Sequence, residues 1–143
     1  MKKKLLFITA VFLLPALLAC CRVPETPVSP VNHTTPAPEK AEYVRISPQD
    51  AETMMSGDVV ILDVRTQDEF DAGHIENAIL LPDYEIAEKA ESVIADKAQT
   101  VLIYCRAGRR SEAAAKELID MGYTGVFDFG GIEDWHGEIV REQ

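Results

Sequence analysis

Apolar residues change their spacing several times along the chain, and each change marks an element. From Thr100 to Tyr104 they run unbroken as TVLIY, rich in β-branched and aromatic side chains, which predicts a strand buried on both faces of a parallel sheet. A five-residue loop, Arg106-Ala107-Gly108-Arg109-Arg110, follows. Ser111 then opens a segment with Ala113, Ala114, Leu118, Ile119 and Met121 at helical spacing, and Gly122 is placed to end it. Upstream, Tyr43 to Ile46 predicts a short first strand. Ser47-Pro48 supplies an N-cap and a proline at the first position of a helix that Gly57 closes. Val59 to Val64 predicts a second buried strand, and Ala78 to Leu81 a third, stopped by Pro82. Between Asp83 and Lys97, Ile86, Ala90, Val93 and Ile94 recur on one face of a surface helix, and Val126 to Phe129 reads as the last strand. Strands and helices alternate throughout, which predicts an α/β fold with a mostly parallel central sheet and helices on both faces.

The first 40 residues follow a different pattern. Lys2, Lys3 and Lys4 precede a 15-residue apolar run from Leu5 to Ala19, too short for a membrane span of about 20 residues but suited to an export signal. Its end, Leu17-Leu18-Ala19-Cys20, resembles a bacterial lipobox, with Leu18 where a small or hydroxyl residue is more common. Cys20 is then the expected lipidation site, residues 1–19 the signal peptide and residues 20–40 the anchor and linker. Ordinary cleavage after Ala19 is the alternative. Pro24, Pro27, Pro30, Pro36 and Pro38 predict a semi-stiff polyproline II tether, rising about 3 Å per residue. The folded domain is expected over residues 41–143, 103 residues and enough for a core without staples. By resemblance to sorting signals, Cys21 after the lipidated residue points to the periplasmic face of the outer membrane in a Gram-negative envelope.

Charge narrows the partners. The 143 residues carry 14 basic and 24 acidic side chains; removing the three leader lysines leaves 11 against 24, a net of −13. That balance disfavours nucleic acid and anionic surfaces, although a lipid anchor would still hold the protein to a membrane. Three of the 11 basic residues nevertheless fall in the loop after Cys105, which reads as a local anion site.

Cys105 is the only cysteine of the expected domain, so no internal disulfide can form. It sits where a strand ends and a helix begins, beside Arg106, Arg109 and Arg110. Free N–H groups, the helix dipole and guanidinium charge favour its thiolate, so a depressed pKa is expected. Gly108 permits the backbone angle such a loop needs. An exposed, ionised thiol of this kind would be open to oxidation outside the cytoplasm.

The segment C-R-A-G-R-R-S resembles the active loop C-x-x-G-x-R-S of the single-domain rhodanese-like sulfurtransferases. Three further marks occur in that family's order: Asp63-Val64-Arg65 followed by Glu69 and Phe70; Gly73-His74-Ile75-Glu76-Asn77-Ala78, with Asn77 in place of a glycine; and Gly130-Gly131-Ile132-Glu133-Asp134-Trp135. The resemblance implies a rhodanese-like fold and transfer of a sulfane sulfur from an anionic donor such as thiosulfate to a thiophilic acceptor, cyanide or a thiol, through a Cys105 persulfide. Arg106, Gly108, Arg109 and Arg110 would then bind the donor. No cofactor or metal is implied, and a monomer is expected.

Supporting roles are read from the residues. Asp63, at a strand's C-terminal end, is expected to face the Cys105 crevice and hold Arg110 or another loop group. Arg65 and Glu69, four apart, could pair and brace the adjacent loop. Asn77 is expected at positive φ. His74 reads first as a turn histidine bonded to backbone, second as a base for Cys105. Two other functions stay open. A Cys-dependent phosphatase is disfavoured because C-x5-R would need arginine at position 111, which is Ser111; a sulfur carrier or binding module without turnover is not excluded.

Overall fold

The structure is a computed structural model and describes residues 41–141. The expected leader, Cys20, Cys21 and the proline-rich linker lie outside these residues. Five parallel strands form the central sheet: β1 (Val44–Arg45), β2 (Val59–Asp63), β4 (Ile79–Leu80), β5 (Thr100–Cys105) and β6 (Gly125–Gly131), in the order β1-β6-β5-β2-β4. A second sheet pairs β3 (His74–Ile75) antiparallel with β7 (Ile139–Val140). Neither of these two strands was predicted: β3 lies inside the segment read as a turn, and two-residue strands carry no usable periodicity.

The described residues form four α-helices, α1 (Pro48–Met54), α2 (Gln67–Asp71), α3 (Ile86–Val93) and α4 (Arg109–Asp120), of which α3 and α4 pack on one face of the main sheet and α1 on the other. Local chemistry fixes their ends. The Ser47 hydroxyl accepts from the Asp50 N–H at 3.1 Å, capping α1. Thr66 and Glu69 form a reciprocal capping box on α2. At the end of α4 the Tyr123 N–H reaches back to the Leu118 carbonyl at 3.1 Å, with Gly122 at φ +96°, as its stop-signal reading predicts. The segment expected as one helix from Asp83 is instead a 3-10 turn, Asp83–Glu85, running into α3.

Side chains of β5 alternate between two cores, which sets the geometry of everything that follows. Val101, Ile103 and Cys105 face α3 and α4, with Leu62, Val64, Leu81, Ile86, Ala115 and Leu118. Leu102 and Tyr104 face the other side, with Ala51, Ile61, Ile75 and Phe129. Both faces are thus covered, as the unbroken apolar runs required. On α4 the buried stripe is Ser111, Ala114, Ala115, Leu118 and Ile119; Ala113, expected inward, is exposed.

Candidate active site

Cys105 is the last residue of β5, and Gly108 at φ +93° turns the chain into α4 three residues later. Helix α4 begins at Arg109, two residues earlier than expected, so Arg109 and Arg110 belong to its first turn and the connecting loop is only 106–108. This tight turn aims the Gly108 N–H at the Cys105 sulfur, 3.1 Å away. Ser111, fully buried, ties the turn to β6: its hydroxyl lies 3.0 Å from the Gly108 carbonyl and 3.2 Å from that of Gly130.

The thiol is 1% exposed and lies at the floor of a cavity of about 430 Å³, lined also by Glu69, Arg106, Ala107, Arg109 and Arg110. It is therefore not the exposed thiol expected from the sequence, because alternation along β5 turns it toward the core under α4. Burial pushes its pKa up, but hydrogen bonds from the Ser111 N–H and hydroxyl and from the Gly108 and Ala107 N–H groups outweigh that, and the net direction is down. The depressed pKa is as expected; its main source is the loop's hydrogen bonds rather than the arginines.

The three arginines differ from one another. Arg110 makes a bidentate fork with Glu69, Nη1 to Oε2 at 2.7 Å and Nη2 to Oε1 at 2.8 Å, with both side chains about three-quarters buried. This contact holds the Glu69 carboxyl down at about 2 and raises Arg110. Arg106 pairs through Nε with Glu133 Oε1 at 2.8 Å, but 68% and 54% of these side chains are exposed. Among the described residues the Arg109 side chain has neither a hydrogen bond nor an ion pair, and it stands exposed in the cavity wall.

The expected partners of Asp63 and Arg65 are exchanged. Asp63 is in register with Tyr104, not Cys105, so it points to the opposite face of the sheet and does not hold Arg110. It binds Arg65 instead: Nη2 lies 2.6 Å from Oδ2 and Nε 2.9 Å from Oδ1, while the Arg65 N–H bonds Oδ1 at 2.9 Å. Arg65 also donates to the Gly73 carbonyl at 2.8 Å, so the pair braces the turn before β3. Glu69 bonds Arg110 rather than Arg65. His74 Nδ1 donates to the Phe70 carbonyl at 3.0 Å and its ring stacks on Phe70 at 3.6 Å; it does not line the Cys105 cavity. Asn77 adopts φ +63°, the angle expected of it.

A layer behind the loop was not read from the sequence. Asp128, fully buried in β6, accepts from the Tyr43 hydroxyl at 2.6 Å, from Arg45 Nη1 at 3.2 Å and from the Gly130 N–H at 2.9 Å. The one available signal was an acid inside an apolar strand run, which must find partners when buried. Among the described residues no group of three or more His, Cys, Asp or Glu side chains is placed to hold a metal.

Comparison with known proteins agrees with this geometry. The pattern of the rhodanese-like domain matches residues 47–138. The thiosulfate sulfurtransferase PspE of Escherichia coli is 40% identical over 73 residues, 51% of this chain and 70% of that protein. The thiosulfate sulfurtransferase GlpE of Coxiella burnetii is 39% identical over 95 residues, 65% of this chain and 87% of that one. Among solved structures, a rhodanese with anions from E. coli superposes with a TM-score of 0.56 at 36% identity, covering 58% of this chain and 98% of its own. A rhodanese-related protein from Thermoplasma volcanium gives a TM-score of 0.62 at 29% identity, covering 70% and 100%. With the pattern spanning residues 47–138 and the thiol loop intact within it, the chain belongs to the rhodanese-like domain family.

Proposed function

We propose that the protein is a thiosulfate sulfurtransferase that works through a Cys105 persulfide. The observation that carries this is the Cys105 sulfur at a cavity floor, in contact with the Gly108 N–H and beneath an unpaired arginine. The thiolate attacks the outer sulfur of thiosulfate; a new S–S bond forms at Cys105 while the old one breaks, and its electron pair leaves on sulfite. The loop N–H groups then face the terminal sulfur of the persulfide and disperse its charge. Cyanide or a thiolate attacks that sulfur and regenerates the Cys105 thiolate.

The arginines divide the binding work by their pairing. Arg109 has no acid to release and meets the sulfonate first. Arg106 follows, since an exposed pair such as its contact with Glu133 is weak and easily exchanged for a dianion. Arg110 remains clamped to Glu69 and keeps the wall in shape. In the same proposal, the leader and Cys20 tether the enzyme by lipid to the periplasmic side of the envelope.

Steady-state kinetics with thiosulfate and cyanide test the reading. Parallel double-reciprocal lines and complete loss of thiocyanate formation in Cys105→Ser are expected; undiminished turnover in that variant would refute it. Persulfide formation with negligible turnover would identify a sulfur carrier instead.

A further inference from the structure

We infer that Arg45, from the opposite edge of the sheet, is a positioning residue for the Cys105 thiolate, wedged behind the loop by Asp128. The inference rests on the reading of Cys105 as the reacting thiol. Arg45 lies on β1, separated from β5 by β6, yet its guanidinium fills the space that side chains at Gly108 and Gly130 would need. A side-chain carbon at Gly130 would stand 2.5 Å from Arg45 Nη2, and one at Gly108 would stand 3.0 Å from Nη2 and 3.2 Å from Nη1. Both glycines have positive φ, +93° and +95°, and a side-chain carbon at Gly108 would stand 3.5 Å from Gly130 Cα, so the two turns lie against each other and leave a seat for a planar cation.

The seat is held from below. Asp128 takes Arg45 Nη1 and the Tyr43 hydroxyl on one oxygen and the Gly130 N–H on the other. Burial and Asp128 push the Tyr43 hydroxyl up to about 12, so it stays a donor throughout the physiological range. Gly130 is in turn held through its carbonyl by Ser111, and Gly108 carries the N–H that meets the sulfur. One continuous set of contacts thus runs from Tyr43 and Arg45 to Cys105. Nothing in the donor chemistry requires a cation on β1, since the Arg45 guanidinium touches the loop from behind rather than lining the cavity. Its function is to keep the Gly108 N–H on the sulfur and to add positive charge behind it.

The charged groups around Cys105 and its loop are Glu69 on α2, Arg106 on the loop with its partner Glu133, and Arg109 and Arg110 on α4, with Asp83 close enough to act on Arg110; Asp128 on β6 and Glu112 on α4 act on Arg45 itself. Substitution at Arg45 leaves the cavity groups in place but takes a cation from Asp128 and Glu112, so Arg45→Lys, which keeps that cation, is compared with Arg45→Gln, which does not.

The test is the pH dependence of iodoacetamide alkylation, quantified by mass on the Cys105 peptide of the full chain, in the wild type, Arg45→Gln and Arg45→Lys. Arg45 is half exposed on an edge strand, and both replacements keep a donor for Asp128. The midpoint should rise by roughly half to one pH unit in Arg45→Gln, a threefold to tenfold fall in the thiol's ionisation constant, and by less than half of that in Arg45→Lys. A merely structural role would lower the melting temperature and leave the midpoint in place. An unmoved midpoint in Arg45→Gln, or a midpoint in Arg45→Lys shifted as far as in Arg45→Gln, would overturn the inference. Alkylation needs no sulfur transfer, so this outcome is separable from failure of the proposed reaction.

Discussion

Replacing Glu69 by Gln separates what the Glu69–Arg110 fork does for stability from what it does for chemistry. The carboxyl stands at about 2 in the folded chain, against an ordinary value of 4.5, chiefly because of the hydrogen bonds from Arg110. In a dry pair that difference would amount to about 3 kcal/mol. With 24% of the arginine and 27% of the glutamate side chain exposed, solvent screening reduces it to roughly 1–2 kcal/mol. The sign follows from the direction. A carboxylate depressed on folding stabilises fully above its unfolded pKa, and the contribution is lost as pH falls toward the folded value. Urea unfolding should therefore show Glu69→Gln about 1–2 kcal/mol less stable than wild type at pH 7, and the gap should shrink below about pH 5 to under half by pH 3. Gln can still accept from the Thr66 N–H, so the cap of α2 survives. Arg110, released, should lower the KM for thiosulfate. A gap that stays the same at pH 7 and pH 3 would refute the assignment of this stability to the ion pair.

Three further substitutions probe other parts of the account. Asp63→Ala leaves Arg65 buried without its partner and should cost about 3–5 kcal/mol in urea unfolding, where a cost below about 1 kcal/mol would show the pair to be dispensable. Gly108→Ala forces a side chain into φ +93° and against Arg45; it should destabilise by about 1–2 kcal/mol and raise the alkylation midpoint of Cys105, and a thiol that titrates as in the wild type would contradict the role given to the Gly108 N–H. Arg109→Ala should raise the KM for thiosulfate about tenfold with little change in kcat, and an unaltered KM would remove Arg109 from the donor site.

The sequence carried the order and type of the long elements because each is amphipathic or wholly apolar over its own length. Val59 to Val64, Thr100 to Tyr104 and the helix after Ser111 could hardly be read otherwise, and the thiol at the strand end follows from them. Facing was harder to read. Whether Asp63 shares a crevice with Cys105 depends on parallel register between β2 and β5, and a shift of one residue moves a side chain to the other face of the sheet. The pairing of Arg110 with Glu69, 41 positions apart, and of Arg45 with Asp128, 83 apart, depends likewise on tertiary placement. Local spacing favoured Arg65 with Glu69 because it counts only neighbours on one helix. The strands β3 and β7 were missed because two residues hold no pattern; they exist only as partners of each other.

The central claim is tested most directly by the intact mass of the purified protein after incubation with thiosulfate, beside its Cys105→Ser variant. A gain of one sulfur atom that dithiothreitol removes, present only when Cys105 is intact, is the predicted result. A wild-type mass unchanged by thiosulfate, or the same gain in Cys105→Ser, would contradict a Cys105 persulfide as the carrier of transferred sulfur.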